Sequence, residues 1–313
     1  MKKVLVTGGA GFIGHHVLKR LSEMDYQIIV IDNLSNRNKN FAISNYKNNI
    51  SLYKEDILDS NAVLHILSRE RVDSCIHLAA KISIPDSISN PHDFLDVNVK
   101  GTLNLLEGCS KYQVKNFVFA SSAAVYGEPK QLPIKEDHIL DPLNPYGASK
   151  AAAESFVSSF GKLKKIEHVT SLRFFNVFGE GQSIGYAGVI TKFLDRISNG
   201  LPPIIYGDGK QTRDFISVND VVNAILLSAQ LQDKLSPSGV FNIATGKSVA
   251  INELAQMMLR TSGLDLETIY EEERPGDPKF ARADVTKSRD ILGFFALENL
   301  ESALEPMVRH SIR

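Results

Sequence analysis

Short apolar, β-branched runs at residues 3–6, 28–31, 50–53, 75–78, 117–120 and 169–174 punctuate the first half of the chain. Between most of them lie longer stretches, 13–24, 62–69, 94–111 and 150–163, in which apolar residues recur at helical spacing. A short continuous apolar run suits a strand buried on both faces. Strands alternating with helices predict βαβ units, and right-handed crossovers assemble these into a parallel sheet covered on both sides. The expected fold class is α/β, a doubly wound parallel sheet of the Rossmann type.

Beyond residue 178 the beat loosens. Glycine and proline become frequent in 179–188 and 200–209, helical spacing returns at 219–229 and 251–261, and 241–244 reads as a strand. A charged loop with two prolines, EEERPGDP, follows at 271–278. The chain is expected to divide into a dinucleotide-binding part, 1–178, and a smaller, lid-like C-terminal substrate domain, 179–313. The two are expected to interleave, with segments at about 211–248 partly returning to the first.

Composition narrows the class. The chain has 313 residues, 43% of them hydrophobic and 23% charged, so it can bury a sizeable core. Its net charge of −1 carries no electrostatic footprint for nucleic acid. Cys75 and Cys109 sit in apolar stretches and read as buried thiols. Glycine arrives too early in MKKVLVTGG for a signal peptide, and no stretch approaches the ~18 apolar residues of a membrane span. A cytoplasmic protein with neither membrane nor nucleic-acid partner is expected. His15 and His16 are adjacent and diverge, His77 reads as a core histidine, and no histidine–carboxylate cluster has metal spacing, so no metal site is expected.

Candidate chemistry begins at residues 7–14, TGGAGFIG, directly after the first strand and opening the first helix. Gly8, Gly11 and Gly14 allow a tight turn, a close backbone approach to a pyrophosphate and close packing of helix on strand. The helix start then offers N–H groups to phosphate. The second strand ends at Asp32, 21 residues past Gly11, where a carboxylate binds ribose hydroxyls and repels a 2′-phosphate. NAD is expected rather than NADP, although Arg37 is close by. Asp56 and Ile57 follow the third strand and Leu78, Ala79 and Ala80 the fourth. There a carboxylate suits the adenine amino group and small residues let a cofactor lie close.

Tyr146 and Lys150 in YGASK are four apart and share a helix face. A phenol of pKa ~10 is a poor base at neutral pH, and a nearby ammonium lowers it. Ser121 and Ser122 end the fifth strand, where a hydroxyl can bond a substrate oxygen beside the phenol. Serine, tyrosine, lysine and NAD together describe an alcohol–ketone redox site.

The ordered set TGGAGFIG, DNLS, HLAA, SSAAVYG, YGASK, RFFNVFG, GDGKQTRDFI and RPGD resembles the extended short-chain dehydrogenase/reductase family over essentially the whole chain. It is most similar to the NAD-dependent nucleotide-sugar epimerases of the UDP-hexose 4-epimerase type. By that resemblance Tyr146 is the general base at the sugar 4-hydroxyl, Lys150 binds the nicotinamide ribose and lowers the tyrosine pKa, and Ser122 bonds the 4-oxygen. Phe12, Ile13, Asn33, Asn36, Asn98, Ser121 and Phe174 join the cofactor contacts. Asn176, Arg213 and Arg274 match substrate-binding positions, the arginines as diphosphate clamps. Asp277 matches a ribose-binding carboxylate, and Val189 and Tyr206 fall where the family holds uracil. A homodimer through the helices at 94–111 and 150–163 is also implied, although Leu103, Leu106, Phe156 and Phe160 there equally suit an internal core.

Departures within the family sharpen the expectation. Dehydratases resembling this chain carry an Asp-Glu pair where Ala123 and Ala124 stand, and decarboxylating relatives a glutamate at the second position. Alanine transfers no proton. Ala281 occupies a position where a large tyrosine excludes N-acetyl sugars in the family pattern, and Ser83 in ISIPDS can bond a sugar substituent. Acceptance of UDP-N-acetylhexosamines beside UDP-glucose and UDP-galactose is therefore expected. The rivals are a UDP-glucuronate epimerase, a net oxidoreductase and a non-catalytic NAD-binding protein.

Overall fold

Seven strands form one parallel sheet, described by a computed structural model that covers residues 2–24, 26–38, 41–46, 49–182, 188–229, 238–273 and 278–312. Its first six strands are β1 (Lys2–Thr7), β2 (Tyr26–Ile31), β3 (Ile50–Tyr53), β4 (Ser74–His77), β5 (Asn116–Ser122) and β6 (His168–Phe174). Helices α1 (Phe12–Ser22), α2 (Ser60–Glu70), α3 (Ile84–Ser89), α4 (Pro91–Phe94), α5 (Gly101–Lys111) and α6 (Pro145–Lys162) connect them. The second half contributes β7 (Asn176–Phe178), α7 (Val189–Ser198), β8 (Ile204–Tyr206), β9 (Thr212–Arg213), β10 (Phe215–Ser217) and α8 (Val218–Ser228). It continues with β11 (Gly239–Ile243), β12 (Val249–Ala250), α9 (Ile251–Ser262), β13 (Ile269–Glu271), α10 (Thr286–Leu292) and α11 (Leu300–Ser311).

The order across the sheet is β3-β2-β1-β4-β5-β6-β11. Successive strand residues face opposite sides. Val4, Val6, Ile28, Val30, Val118 and Leu172 therefore pack with α1 and α8, while Leu5, Ile29, Ile31, Phe117 and Phe119 pack with α2, α5 and α6. Both faces are dry, which explains the continuous apolar runs in the sequence. The order reverses between β1 and β4, and ligands of such sheets bind in the crevice beyond the carboxyl ends at that point.

Of residues 211–248, β11 joins the sheet beside β6 and α8 packs on α1, whereas β9 pairs with β12 and β10 with β7 outside it. A further core links α7, α9 and α11 through Phe193, Ile197, Leu254, Met258, Leu304 and Val308. Helix α11 escapes a reading by spacing because Leu304 and Val308 are its only fully buried side chains, a stripe too short to stand out.

One helical stretch departs from the sequence expectation. The stretch 94–111 is not one regular helix: α4 runs into a π-helical segment, Leu95–Lys100, before α5. The helical run read from YGASK onward is α6, which begins at Pro145. Asn144 caps it, its Oδ1 accepting from the Gly147 N–H at 2.9 Å, with proline at the first helical position. That start places Tyr146 in the first turn and Lys150 one turn on.

Leu106 and Phe160 belong to the chain's own core, Leu103 is partly buried against it, and Phe156 is 40% exposed. Cys75 and Cys109 are both buried and free. Among the described residues no helix is long and apolar enough to cross a membrane.

Candidate active site

Gly8, just past β1, has φ +69°, and a Cβ there would fall 2.6 Å from the Ala79 nitrogen. A Cβ at Gly14 would fall 2.1 Å from the Gly8 oxygen. Only glycine permits both the left-handed turn and this approach. Leu78, Ala79 and Ala80, all partly buried at the exit of β4, thus flank the start of α1. Gly11 caps α1 with no side-chain acceptor, leaving the first-turn N–H groups of Phe12, Ile13 and Gly14 suited to an outside anion.

Asp32 follows β2, its carboxylate accepting from the Ala10 N–H at 2.9 Å and the Leu34 N–H at 2.7 Å. Those bonds hold it beside the glycine turn. Asn33 Nδ2 donates to Asp56 Oδ2 at 2.9 Å, so the exits of β2 and β3 are tied together, with Ile57 buried beneath and Asn36 exposed in the same loop. The missing Cβ atoms, the open helix start and the oriented carboxylate fit a dinucleotide laid across the strand ends.

Ser122 ends β5 beside Tyr146, its Oγ accepting from the Ala124 N–H at 3.2 Å. The Tyr146 ring stands edge-on to Phe94 at 6.4 Å between centroids. Burial raises the phenol's pKa and the Ser122 side chain pulls it back. Lys150 stands one helical turn on. Its Nζ is buried and donates to the Ala120 carbonyl at 2.8 Å, 5.0 Å above the Phe119 ring. Desolvation lowers its pKa to about 7.

This has a measurable consequence in the cofactor-free chain. An unfolded lysine keeps its proton up to ~10.4, so between pH 7 and 10 the unfolded state binds more protons and stability rises with pH. Each unit contributes about 1.4 kcal/mol at most. Lys150→Met should flatten that rise, and denaturant midpoints at pH 7.5 and 9 check it. Equal slopes in both proteins would dispose of the desolvated ammonium.

A polar chain joins the two halves of the crevice. Thr102 Oγ donates to the Asn98 carbonyl at 2.6 Å, so His77 Nε2 donates to Thr102 at 2.9 Å and its Nδ1 accepts from Thr7 Oγ at 2.7 Å. Burial, with Lys150 close by, lowers the His77 pKa to about 3, and the ring is a neutral core histidine. Asn98 Nδ2 in turn donates to the Lys81 carbonyl and to Ser149 Oγ, both at 2.9 Å, and Ser149 donates to the Tyr146 carbonyl at 2.7 Å. The π-helical segment places Asn98 there. Such bulges often mark functional sites.

Sequence reading missed Glu154 and Arg173. Glu154 lies one helical turn beyond Lys150, buried, with the Arg173 guanidinium on both its oxygens and the Ser121 hydroxyl donating to Oε2 at 2.7 Å. Ser121's side chain is thereby committed to the protein interior. Arg173 also donates to the Tyr126 hydroxyl at 2.8 Å. The Y-x-x-x-K spacing extended by four residues would have flagged the glutamate. Phe174, next on β6, is buried in the α1 face of the sheet.

The proposed substrate residues approach from separate elements. Asn176 opens β7, Val189 opens α7, Tyr206 closes β8 and Arg213 closes β9. Ser83 caps α3, its Oγ accepting from the Asp86 N–H at 3.2 Å. Arg274 and Asp277 lie outside the described residues. Asn176 and Arg213 are brought together by Asp214, whose carbonyl accepts from the Asn176 N–H at 3.0 Å. A cleft of about 1600 Å³ between α1, α8 and α11 contains none of these groups.

A glycine turn at the switch point and a half-buried tyrosine beside Ser122, one helical turn from a buried lysine, define a dinucleotide-dependent dehydrogenase-type protein. The chain belongs to the NAD dependent epimerase/dehydratase family, whose profile it matches over residues 4–244. It is 36% identical to the UDP-glucose 4-epimerase of Lactobacillus helveticus, over 93% of this chain and 91% of that one. Among solved structures it is similar to the UDP-glucose 4-epimerase of Thermotoga maritima with UDP-glucose, at TM-score 0.91, 37% identity and 98% coverage of both chains. The UDP-N-acetylglucosamine 4-epimerase of Methanobrevibacter ruminantium in complex with UDP-N-acetylmuramic acid matches at TM-score 0.89 and 38% identity, over 98% of this chain and 97% of that one.

Proposed function

We propose that this chain is an NAD-dependent UDP-hexose 4-epimerase that interconverts UDP-glucose and UDP-galactose, and also the corresponding N-acetylhexosamines. The observation carrying the proposal is Tyr146 set beside Ser122 at the crevice, with Lys150 one helical turn on. Its relatives' names and ligands support the substrate class.

Tyr146 takes the proton from the sugar 4-hydroxyl, and Ser122 donates to the 4-oxygen. Bound NAD supplies the acceptor, then the donor, of one hydride. Lys150, balanced near neutrality between charged and neutral forms, favours phenolate when protonated. Ala123 and Ala124, in the turn after β5, carry no proton for loss of water. Epimerisation requires the 4-keto sugar to present its other face, so the protein must grip the diphosphate and leave the hexose free to turn. Arg213 and Arg274 suit that grip, while on the family pattern Asp277 binds the ribose, Val189 and Tyr206 flank the uracil and Asn176 is a further substrate contact. Ala281, small and buried, leaves room for a 2-N-acetyl group, and Ser83 caps α3, which packs against α6.

The proposal extends to assembly, location and domains. Exposed Leu95 in the π-helical segment before α5, Phe156 on α6 and Leu163 at its C-terminal end support a homodimer through the helical stretches 94–111 and 150–163. The absence of a spanning helix among the described residues is compatible with a cytoplasmic location. The separate core of α7, α9 and α11 supports a substrate domain within 179–313.

Incubation with UDP-glucose, UDP-galactose, their N-acetyl counterparts and UDP-glucuronate, followed by chromatography, tests the substrate range. Interconversion of both the hexose and N-acetylhexosamine pairs is expected, without net consumption of added NAD. Turnover of UDP-galactose with none of UDP-N-acetylgalactosamine would rule out the reading of Ala281. Stoichiometric NADH would point to a net oxidoreductase.

A further inference from the structure

Asp214, between β9 and β10, is fully buried at 0% exposure, yet its carboxylate is saturated by four donors. Oδ1 accepts from the Thr245 N–H at 2.9 Å and the Thr245 hydroxyl at 2.6 Å. Oδ2 accepts from the N–H groups of Gly246 at 2.9 Å and Ala283 at 3.2 Å. Together with the Asn176 N–H on its carbonyl, this one residue joins three segments that meet nowhere in sequence: the start of β7, the turn after β11, and the strand-like stretch around Ala283. That stretch is further tied to the same region by the Thr212 N–H on the Lys279 carbonyl at 3.0 Å.

The neighbour on the chain is Arg213. Successive side chains of an extended segment leave opposite faces, so anchoring Asp214 inward presents Arg213 outward, and Arg213 is indeed partly exposed. A carboxylate with two acceptor sites on each oxygen is the side chain suited to four converging donors. Bonds from backbone N–H groups to an ionised acceptor are the strong kind, so the clasp is stiff.

We propose that Asp214 is a positioning residue for the diphosphate end of the substrate, holding Arg213 in register with Asn176 and with the stretch around Ala283. This rests on the UDP-sugar reading. It assigns Asp214 no contact with substrate.

The test compares wild type with Asp214→Asn, Thr245→Val and Thr245→Ser. UDP binding is measured by calorimetry, UDP-glucose kinetics give KM and kcat, and bound NAD and melting temperature are recorded. In Asp214→Asn an amide N–H₂ faces donors, and UDP affinity should fall about 10- to 100-fold. KM should rise in parallel, with kcat within about twofold and bound NAD unchanged. Thr245→Val removes one donor and should weaken UDP about 3- to 10-fold. Thr245→Ser restores the hydroxyl and should bind as wild type does.

Lower melting temperatures with unaltered UDP affinity and KM would reduce Asp214 to a structural residue and overturn the proposal. Should Asp214→Asn fail to fold, the Thr245 pair decides: equal UDP affinity of the valine and serine variants overturns it. A wild type that binds UDP but leaves UDP-glucose unchanged strikes the epimerase reading alone, and the affinity series still judges the clasp. A wild type that fails to bind UDP refutes both.

Discussion

Tyr146→Phe is expected to lower kcat for UDP-glucose by about 1000-fold while leaving the fold and the retained NAD intact. The size follows from the loss of a positioned proton-transfer group, typically worth 10²- to 10⁴-fold. The selectivity follows from the structure. The ring packs edge-on against Phe94 through its carbon framework, and phenylalanine keeps that contact. The helix start rests on Asn144 and on Ser149, which bonds the Tyr146 backbone and not its hydroxyl. Initial-rate assays alongside circular dichroism and nucleotide extraction measure all three quantities. A variant that retains most of its activity would refute the assigned base.

Glu154→Gln should produce the largest loss of stability, about 3–5 kcal/mol, because it strips the charge partner from a buried guanidinium. Arg173 is buried beside Glu154 and donates to both its oxygens, and Tyr126 and Ser121 depend on the same pair. Glutamine offers one oxygen where the guanidinium needs two, and its amide N–H₂ meets donors. Replacing both partners with apolar residues of similar size should cost less than the single change, since no lone charge is then left inside. Denaturant titration of the single and double variants decides the point. A single variant as stable as wild type would show that the pair is not holding α6 to β5 and β6.

The alternation of strand and helix was legible because a parallel sheet buried on both faces demands unbroken apolar runs, and β1 through β6 lie where those runs fall. The glycine turn was legible for a related reason: only glycine fits where a Cβ would strike Ala79 or the Gly8 carbonyl. Tyr146 and Lys150 stood out by spacing. The start of α6 was legible too, since YGASK opens a helical run after a proline-rich loop, and the polar cap and proline bear that out. The π-helical segment was hidden, being set by what Asn98 bonds to 17 and 51 residues away.

Local chemistry written in the chain thus determined the strands, the glycine turn, the carboxylate after the second strand and the tyrosine–lysine spacing, since each depends on neighbours within a few residues. Tertiary structure alone decided that Glu154 would neutralise Arg173, that His77 would bridge Thr7 to the Asn98 segment, and that Asp214 would clasp three remote segments. The reason is physical. A buried polar group takes its pKa and its purpose from whichever donors and acceptors folding brings within about 3 Å, and sequence distance carries no record of them.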